Sequence, residues 1–220
     1  LWLQTPEASN RAVILHRSRA WTDAGSRGYE LLLEDGRPKW SLIHFWPGDA
    51  ISIRAVDPLP LHQWVHVTVS NDGSSRAAGL RIFINGQPVR TEIIRDHLTK
   101  DITGGGGDTI DLGERFRDRG FKGGLIDDLR VFGRALTAVE VSALYAPTAN
   151  VESASDAWFE TYLANHDATY RAQVAALTVA RATETQLADA AKEIMVMREL
   201  PTPKTAYILK RGEYDHRGAA

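Results

Sequence analysis

TIDLGERFRDRGFKGGLIDDLRVFGRALTAVEVSALY, residues 109–145, decides the fold. Ile110 and Leu112 alternate with Thr109 and Asp111, as a half-buried strand requires. A charged loop follows. Gly123-Gly124 then punctuates the chain before LIDDLRVF, which reads as a long strand broken by an acidic pair. A short helix closes the stretch. Thr137 and Glu140 have the spacing of a capping box, and Leu136 and Val141 that of a hydrophobic staple.

Upstream, residues 1–92 read as β-rich. LWLQT, RAVILHR, YELLLE, KWSLIHFW, AISIRA, QWVHVTVS and LRIFIN are predicted strands, separated by turn formers such as Pro47-Gly48-Asp49 and Asn71-Asp72-Gly73. In QWVHVTVS one face carries Trp64, His66, Thr68 and Ser70, and the other Val65, Val67 and Val69. Many short strands with regular turns predict a mainly β fold, an antiparallel jelly-roll β-sandwich, followed by a C-terminal helical segment. Trp64 reads as a core or sheet-surface anchor. Residues 93–108 read as a loop, with Gly104 to Gly107 a flexible connector. The missing Lys-Ser/Thr after those glycines excludes a phosphate-binding loop.

Trp64-Val-His-Val, Asn85-Gly86, Leu112-Gly113 and Gly124-Leu-Ile-Asp-Asp128, in this order and followed by a short helix, resemble the laminin-G-like domains of the concanavalin A-type lectin/glucanase superfamily. The resemblance covers roughly residues 1–146 and implies the sandwich fold. It implies little about activity, because the fold hosts many ligands and some hydrolases.

Composition narrows the function. A formal net charge of -2 argues against general nucleic-acid or membrane-surface binding. The sequence holds no apolar run of about 18 residues, so no membrane insertion is expected. Zero cysteines exclude disulfides, thiolate zinc sites and haem attachment within these residues. No targeting signal is legible at Leu1, and the chain reads as an internal fragment.

After Tyr145 the pattern changes. Residues 147–155 are linker-like. From Asp156 the apolar spacing predicts two helices, the second long and alanine-rich. Pro201 and Pro203 stop it, and AYILKRGEY has strand character, so 156–220 reads as a helical segment plus a β-hairpin-like start of a further domain. Val196-Met-Arg-Glu199 and Ile208-Leu-Lys-Arg-Gly-Glu-Tyr214 resemble the C-terminal domain of planctomycete-type cytochrome c proteins. His44-Phe-Trp-Pro-Gly-Asp-Ala-Ile51 and the run Arg115 to Gly124 resemble the laminin-G-like insert of the same family. That resemblance implies an exported bacterial multidomain parent, periplasmic or at the cell surface, with any haem outside this chain.

The residues bear on four chemistries. Glucanases of this fold carry Glu-x-Asp-x-x-Glu on one strand, at the carboxylate separation of a retaining mechanism. The nearest start, Glu213-Tyr-Asp215, meets Gly218 where the second Glu should stand, so no catalytic residue is expected. His62 and His66 have a zinc spacing only on a helix; along a strand they lie about 13 Å apart, so no metal site is expected there. Laminin-G-like domains often bind calcium, but Asp127 and Asp128 are strand neighbours pointing to opposite faces, so at most one could face an ion. One carboxylate is expected to accept backbone N–H bonds and the other to be solvated. The fourth candidate is a ligand surface built from His44, Trp46, Asp49, Arg115, Arg117 and Asp118, with Trp46 stacking on a sugar and Arg forks holding anionic groups. Trp21 is a second exposed aromatic candidate. The same loop could instead be an Arg–Asp network stiffening a turn, or a surface packing on another domain. The reading is therefore a non-catalytic binding module for a glycan or surface polymer. The alternative is a scaffold docking the haem-bearing and C-terminal segments of the parent chain.

Overall fold

The computed structural model describes residues 1–21, 23–146, 155–192, 194, 202, 205–208 and 218–219. Leu1–Ala190 and Ala191–Ala220 are separate compact units. Among the described residues of the first, eleven strands form two antiparallel sheets. The five-stranded sheet runs β11 (Leu125–Asp127), β1 (Trp2–Gln4), β6 (Trp64–Asn71), β7 (Leu80–Ile84) and β8 (Gln87–Pro88). The six-stranded sheet runs β10 (Asp111–Leu112), β2 (Arg11–Arg17), β3 (Gly28–Glu34), β4 (Arg37–Phe45), β5 (Asp49–Ala55) and β9 (Thr91–His97). Helices α1 (Ala138–Tyr145), α2 (Ser155–Asn165) and α3 (Ala168–Ala190) follow.

The core lies between the sheets. Leu3, Val65, Val67 and Ile82 meet Ile14, Leu31, Leu33, Trp40, Ile51 and Ile53, as period-two alternation places them. The six-stranded sheet is buried on its other face as well: Val13, Leu32, Ile43 and Ala50 are almost fully enclosed. Burial on both faces explains why RAVILHR and ELLLE read as continuous apolar runs rather than alternating ones. Residues 114–121 supply part of that cover. They fold back over β2 at its bulge between Val13 and Leu15, where Val13 N–H donates to the Arg119 carbonyl at 2.9 Å.

All seven predicted strands form, and the differences lie at the edges. Residues 93–97 belong to β9 rather than to a loop. This strand is held by its backbone ladder to β5 and is mostly exposed, so its polar TEIIRDH sequence carries little apolar signal. The expected long strand LIDDLRVF stops after Asp127. Asp128 takes a left-handed φ of 46° and turns the chain away from β1. Two of the four consecutive glycines sit tightly packed. A Cβ on Gly105 would stand 2.7 Å from the Arg27 Cβ, and one on Gly107 2.6 Å from Ser18 backbone. The run therefore permits close backbone approach.

The capping-box signal holds. Thr137 caps α1 in a capping box with Glu140, and Arg134 grips the same carboxylate with contacts of 2.9 and 2.6 Å. Those guanidinium bonds, opposed by burial, hold Glu140 down to about 2. Ser142 of α1 donates to the Gly86 carbonyl at 3.0 Å, seating the helix on the Asn85-Gly86 hairpin, where both residues have positive φ. Thr137→Ala is expected to lose about 1 kcal/mol of stability, read as a shifted urea midpoint with an unchanged slope. A midpoint equal to that of the parent would show that the cap contributes nothing.

Helices α2 and α3 match the expected pair, one short and one long. Thr161 of α2 hydrogen-bonds Thr137 at 2.9 Å, and Arg181 of α3 donates to the Asp72 carbonyl at 3.2 Å. The linker expected over 147–155 lies outside the described residues except for Ser155. Residues 209–217, most of the hairpin-like segment, also lie outside them, and 205–208 are described without regular secondary structure. Ile208 N–H donates to the Ala219 carbonyl at 2.9 Å.

Candidate functional site

The outer face of the six-stranded sheet carries a belt of charge. β2, β3, β4 and β5 place Arg11, Glu30, Glu34, Lys39 and Arg54 there by alternation, at paired positions such as Arg11 with Glu34 and Lys39 with Arg54. Glu34 accepts from Lys39 at 3.0 Å and from Arg54 at 2.8 Å. Arg54 also reaches Glu92 on β9 at 2.7 Å. Burial would raise the Glu34 carboxyl, but the Lys39 ammonium and Arg54 guanidinium outweigh it and hold it below the usual range.

Two tryptophans flank the belt. Trp21 lies under the Arg11 guanidinium, 4.6 Å from cation to ring centroid. Trp46 has the Lys39 ammonium at 4.8 Å and the Arg95 guanidinium at 5.7 Å. All three contacts are within cation–π range. Together with Arg11, Glu30, Glu34, Lys39 and Ile43, the two rings line a hollow of about 90 Å³. At ~30 Å³ per water this holds about three waters.

The six residues singled out in the sequence do not form one surface. Of these, Trp46 alone lines the hollow. Arg115 and Asp118 lie behind it. The Arg115 side chain is fully enclosed and pairs with Glu30 at 2.6 Å and Asp118 at 2.6 Å. Asp118 also takes both prongs of Arg11, at 2.6 and 3.0 Å. Burial would raise the Asp118 carboxyl, but hydrogen bonds from Arg11, Arg115 and the Arg119 N–H hold it below its ordinary value. This is an Arg–Asp network stiffening the turn, and it reaches the hollow through Arg11 and Glu30. Arg117 is exposed at the tip of the loop, with a left-handed φ of 60° and its guanidinium 5.3 Å from the Phe116 ring centroid.

His44 and Asp49 pin the 98–103 segment instead. His44 Nδ1 lies 2.6 Å from the Asp101 carbonyl and Nε2 lies 2.9 Å from Arg27. The carbonyl needs a donor and the guanidinium an acceptor, which fixes the proton on Nδ1. Asp49 accepts from the Thr99 N–H at 2.7 Å and its hydroxyl at 3.0 Å. The residues missed from the sequence are Arg11, Glu30, Glu34 and Lys39. Their signal was available as charged positions at period two within otherwise apolar strands.

The other candidates resolve simply. Asp127 accepts the Asp128 N–H at 2.7 Å, and Asp128 pairs with Arg130 through two contacts of 2.8 Å. His62 is exposed with a φ of 57°, outside β6, while His66 is buried. Among the described residues no group of three or more His, Asp or Glu side chains could hold a metal ion. None of the described helices is long and apolar enough to cross a membrane.

Two packed antiparallel sheets, with a polar outer face framed by aromatics, define a lectin-like sandwich. The chain belongs to the Laminin_G_3 family of the concanavalin A-like lectin/glucanases superfamily, which matches residues 1–142. No curated protein matches it. Among solved structures it is similar to the binding domain of botulinum neurotoxin serotype G, at 22% identity and a TM-score of 0.44, covering 74% of this chain and 36% of that one. The receptor binding domain of botulinum neurotoxin D is 17% identical with a TM-score of 0.41, covering 66% and 35%. An S-layer domain-containing protein of Clostridium thermocellum is 24% identical with a TM-score of 0.30, covering 57% and 60%. The chain thus spans about a third of the length of the toxin domains.

Proposed function

We propose that this domain is a non-catalytic binding module for a neutral, hydroxyl-rich polymer such as a polysaccharide, exported as part of a larger bacterial protein. The observation that carries this reading is the hollow between Trp21 and Trp46 on the polar sheet face. Aromatic rings offer apolar faces to sugar C–H groups, and fixed charged groups beside them hydrogen-bond hydroxyls. Most of the charges around the hollow are paired, with Arg95 over the Trp46 ring a further cation. Arg11, Arg115, Lys39 and Arg54 are matched by Asp118, Glu30, Glu34 and Glu92 through short contacts. An anionic glycan would have to displace these pairs, so a neutral one is favoured. The exported multidomain parent rests on the cytochrome c resemblance, and calcium stays an option to test with chelator.

The test is a titration of the chain against neutral and sulfated polysaccharides, with calcium and with chelator, by calorimetry and affinity electrophoresis. Saturable binding to a neutral polymer is expected, weakened at least about tenfold in Trp46→Ala and in Trp21→Ala, since a buried aromatic anchor contributes ≥ ~2 kcal/mol. Preference for sulfated polymers would overturn the neutral reading. Absence of binding by the folded chain would favour the scaffold alternative. Trp158, Phe159 and Leu187 on α2 and α3 are largely exposed, as apolar surfaces awaiting a neighbouring domain would be.

A further inference from the structure

One transverse row of side chains crosses the whole six-stranded sheet on its outer face. The register pairs Asp111 with His16, His16 with Glu30, Glu30 with Ser41, Ser41 with Ser52 and Ser52 with Arg95. Residues directly opposite in antiparallel strands share a face. The row runs from β10 at one edge to β9 at the other, and five strand spacings make it about 24 Å long. Its middle is buried and satisfied within the protein. Ser41 and Ser52 share a hydrogen bond of 2.8 Å, and Glu30 meets Arg115 at 2.6 Å. His16 Nδ1 lies 3.2 Å from the Ser18 hydroxyl and Nε2 lies 2.8 Å from the Glu114 carbonyl. The ends of the row meet solvent. At one end Arg95 stands over the Trp46 ring. At the other, Arg19, Asp111, Glu114 and Phe116 line a second hollow of about 490 Å³, beside the buried His16 and Arg115. Arg19, Asp111 and Glu114 are exposed, and Phe116 is 67% exposed. The two hollows adjoin. Trp21 of the first donates its backbone N–H to the Phe116 carbonyl at 3.3 Å, and Arg115 of the second pairs with Glu30 of the first.

We propose that the second hollow is a further subsite of the binding surface, so that one sugar chain lies across the strands from Trp46, over Trp21 and Phe116, to Asp111 on β10. The inference rests on the polysaccharide reading above and adds a length to it. The ligand spans on the order of 20 Å, a long oligosaccharide stretch rather than a mono- or disaccharide. The chemistry of the second hollow suits the same ligand class. A carboxylate only accepts hydrogen bonds and a guanidinium only donates them, whereas a hydroxyl does both. Asp111 and Glu114 therefore take hydroxyl protons and Arg19 meets hydroxyl oxygens, while the Phe116 ring offers an apolar surface to sugar C–H groups. Because the middle of the row is already satisfied, the new contacts lie at its two ends. Once one end of a sugar chain is held, binding at the other is intramolecular, so affinity rises with chain length until both hollows are filled.

The test is calorimetric titration of the 220-residue chain with disaccharides and hexasaccharides of the glucose, mannose and xylose series. A hexasaccharide of at least one series is expected to bind about tenfold or more tighter than its disaccharide. Phe116→Ala, and separately the double variant Asp111→Asn with Glu114→Gln, should each weaken that hexasaccharide about tenfold, toward the disaccharide. All three side chains are exposed, so the melting temperature should stay at that of the parent, which separates lost contact from lost structure. Hexasaccharide binding that Trp46→Ala weakens but both of these variants leave unchanged would overturn the second hollow while the tryptophan site stands. Equal affinity for disaccharide and hexasaccharide would overturn it in the same way. Failure of every hexasaccharide to bind would also overturn it, and the polymer titration above would then decide the module reading by itself.

Discussion

Arg115→Met is expected to lower stability by about 3–5 kcal/mol. For a unit of this size that is a fall in melting temperature on the order of 10 °C. The Arg115 guanidinium is fully enclosed, and its partners Glu30 and Asp118 have side chains only 6% and 2% exposed. Methionine fills similar space but leaves two carboxylates facing an apolar side chain. Asp118 keeps Arg11; Glu30 loses its guanidinium. Removing one partner of a buried pair costs more than the pair contributes, because the remaining charge stays desolvated. Two controls separate this from loop damage. Arg117→Ala, two residues away and exposed, should stay within about 0.5 kcal/mol of the parent. Adding Glu30→Gln and Asp118→Asn to Arg115→Met should recover a large part of the loss. A melting temperature for Arg115→Met within about 2 °C of the parent would show that water enters the network and that the ion pairs are not structurally required.

The same groups set the response to acid. Asp118 and Glu34 have depressed pKa values in the folded protein, and Glu140 stands at about 2. A depressed carboxyl contributes stability that is fully present above its unfolded value, near 4, and is lost as pH falls through the folded one. The sandwich should therefore weaken below about pH 4, read as a falling urea midpoint as the buffer is acidified.

Much of this arrangement was legible in the sequence, and the parts that were not share a cause. QWVHVTVS alternates cleanly, so the residues sharing each face could be read directly. The Thr137–Glu140 cap is a local device with a fixed spacing, and it formed as written. For Arg115 and Asp118 the sequence leaves a ligand surface and an Arg–Asp network both open, because a charged loop is usually exposed. Their burial depends on residues 114–121 crossing back to Val13, a contact across about a hundred residues that no local pattern records. Glu30, Glu34 and Lys39 were overlooked for the complementary reason. Inside apolar strands their charge looked incidental, yet the cross-strand register lines them up with Arg11 and Arg54. β9 was missed because an exposed edge strand is held by its backbone rather than by apolar side chains. LIDDLRVF was overextended because its composition suits a strand throughout, while the turn at Asp128 is a matter of one backbone angle.

Gly28→Ala is expected to be the most damaging small substitution in the sandwich, lowering stability by about 3 kcal/mol or more. Gly28 is buried at the first position of β3, paired with Ile43. Its φ of 137° lies where side-chain-bearing residues are rarely found, and an added Cβ would stand 1.6 Å from the Arg17 carbonyl oxygen and 2.8 Å from its carbon. The obstacle is backbone, so no rotamer change relieves it; β2 and β3 must separate where Arg17 pairs with Tyr29. That displacement propagates toward Glu30, two residues along β3, which holds Arg115. Gly73→Ala supplies the comparison. Gly73 also has positive φ, 74°, but an added Cβ would meet nothing within 4 Å, so only the conformational strain of about 1 kcal/mol is expected. The measurement is a pair of denaturant melts with near-ultraviolet circular dichroism on both variants. A large midpoint shift for Gly28→Ala beside a small one for Gly73→Ala would establish steric approach as the reason for the glycine. Equal, small shifts would mean that the β2–β3 junction yields at little cost and that Glu30 is positioned by the Arg115 network rather than by the strand beneath it.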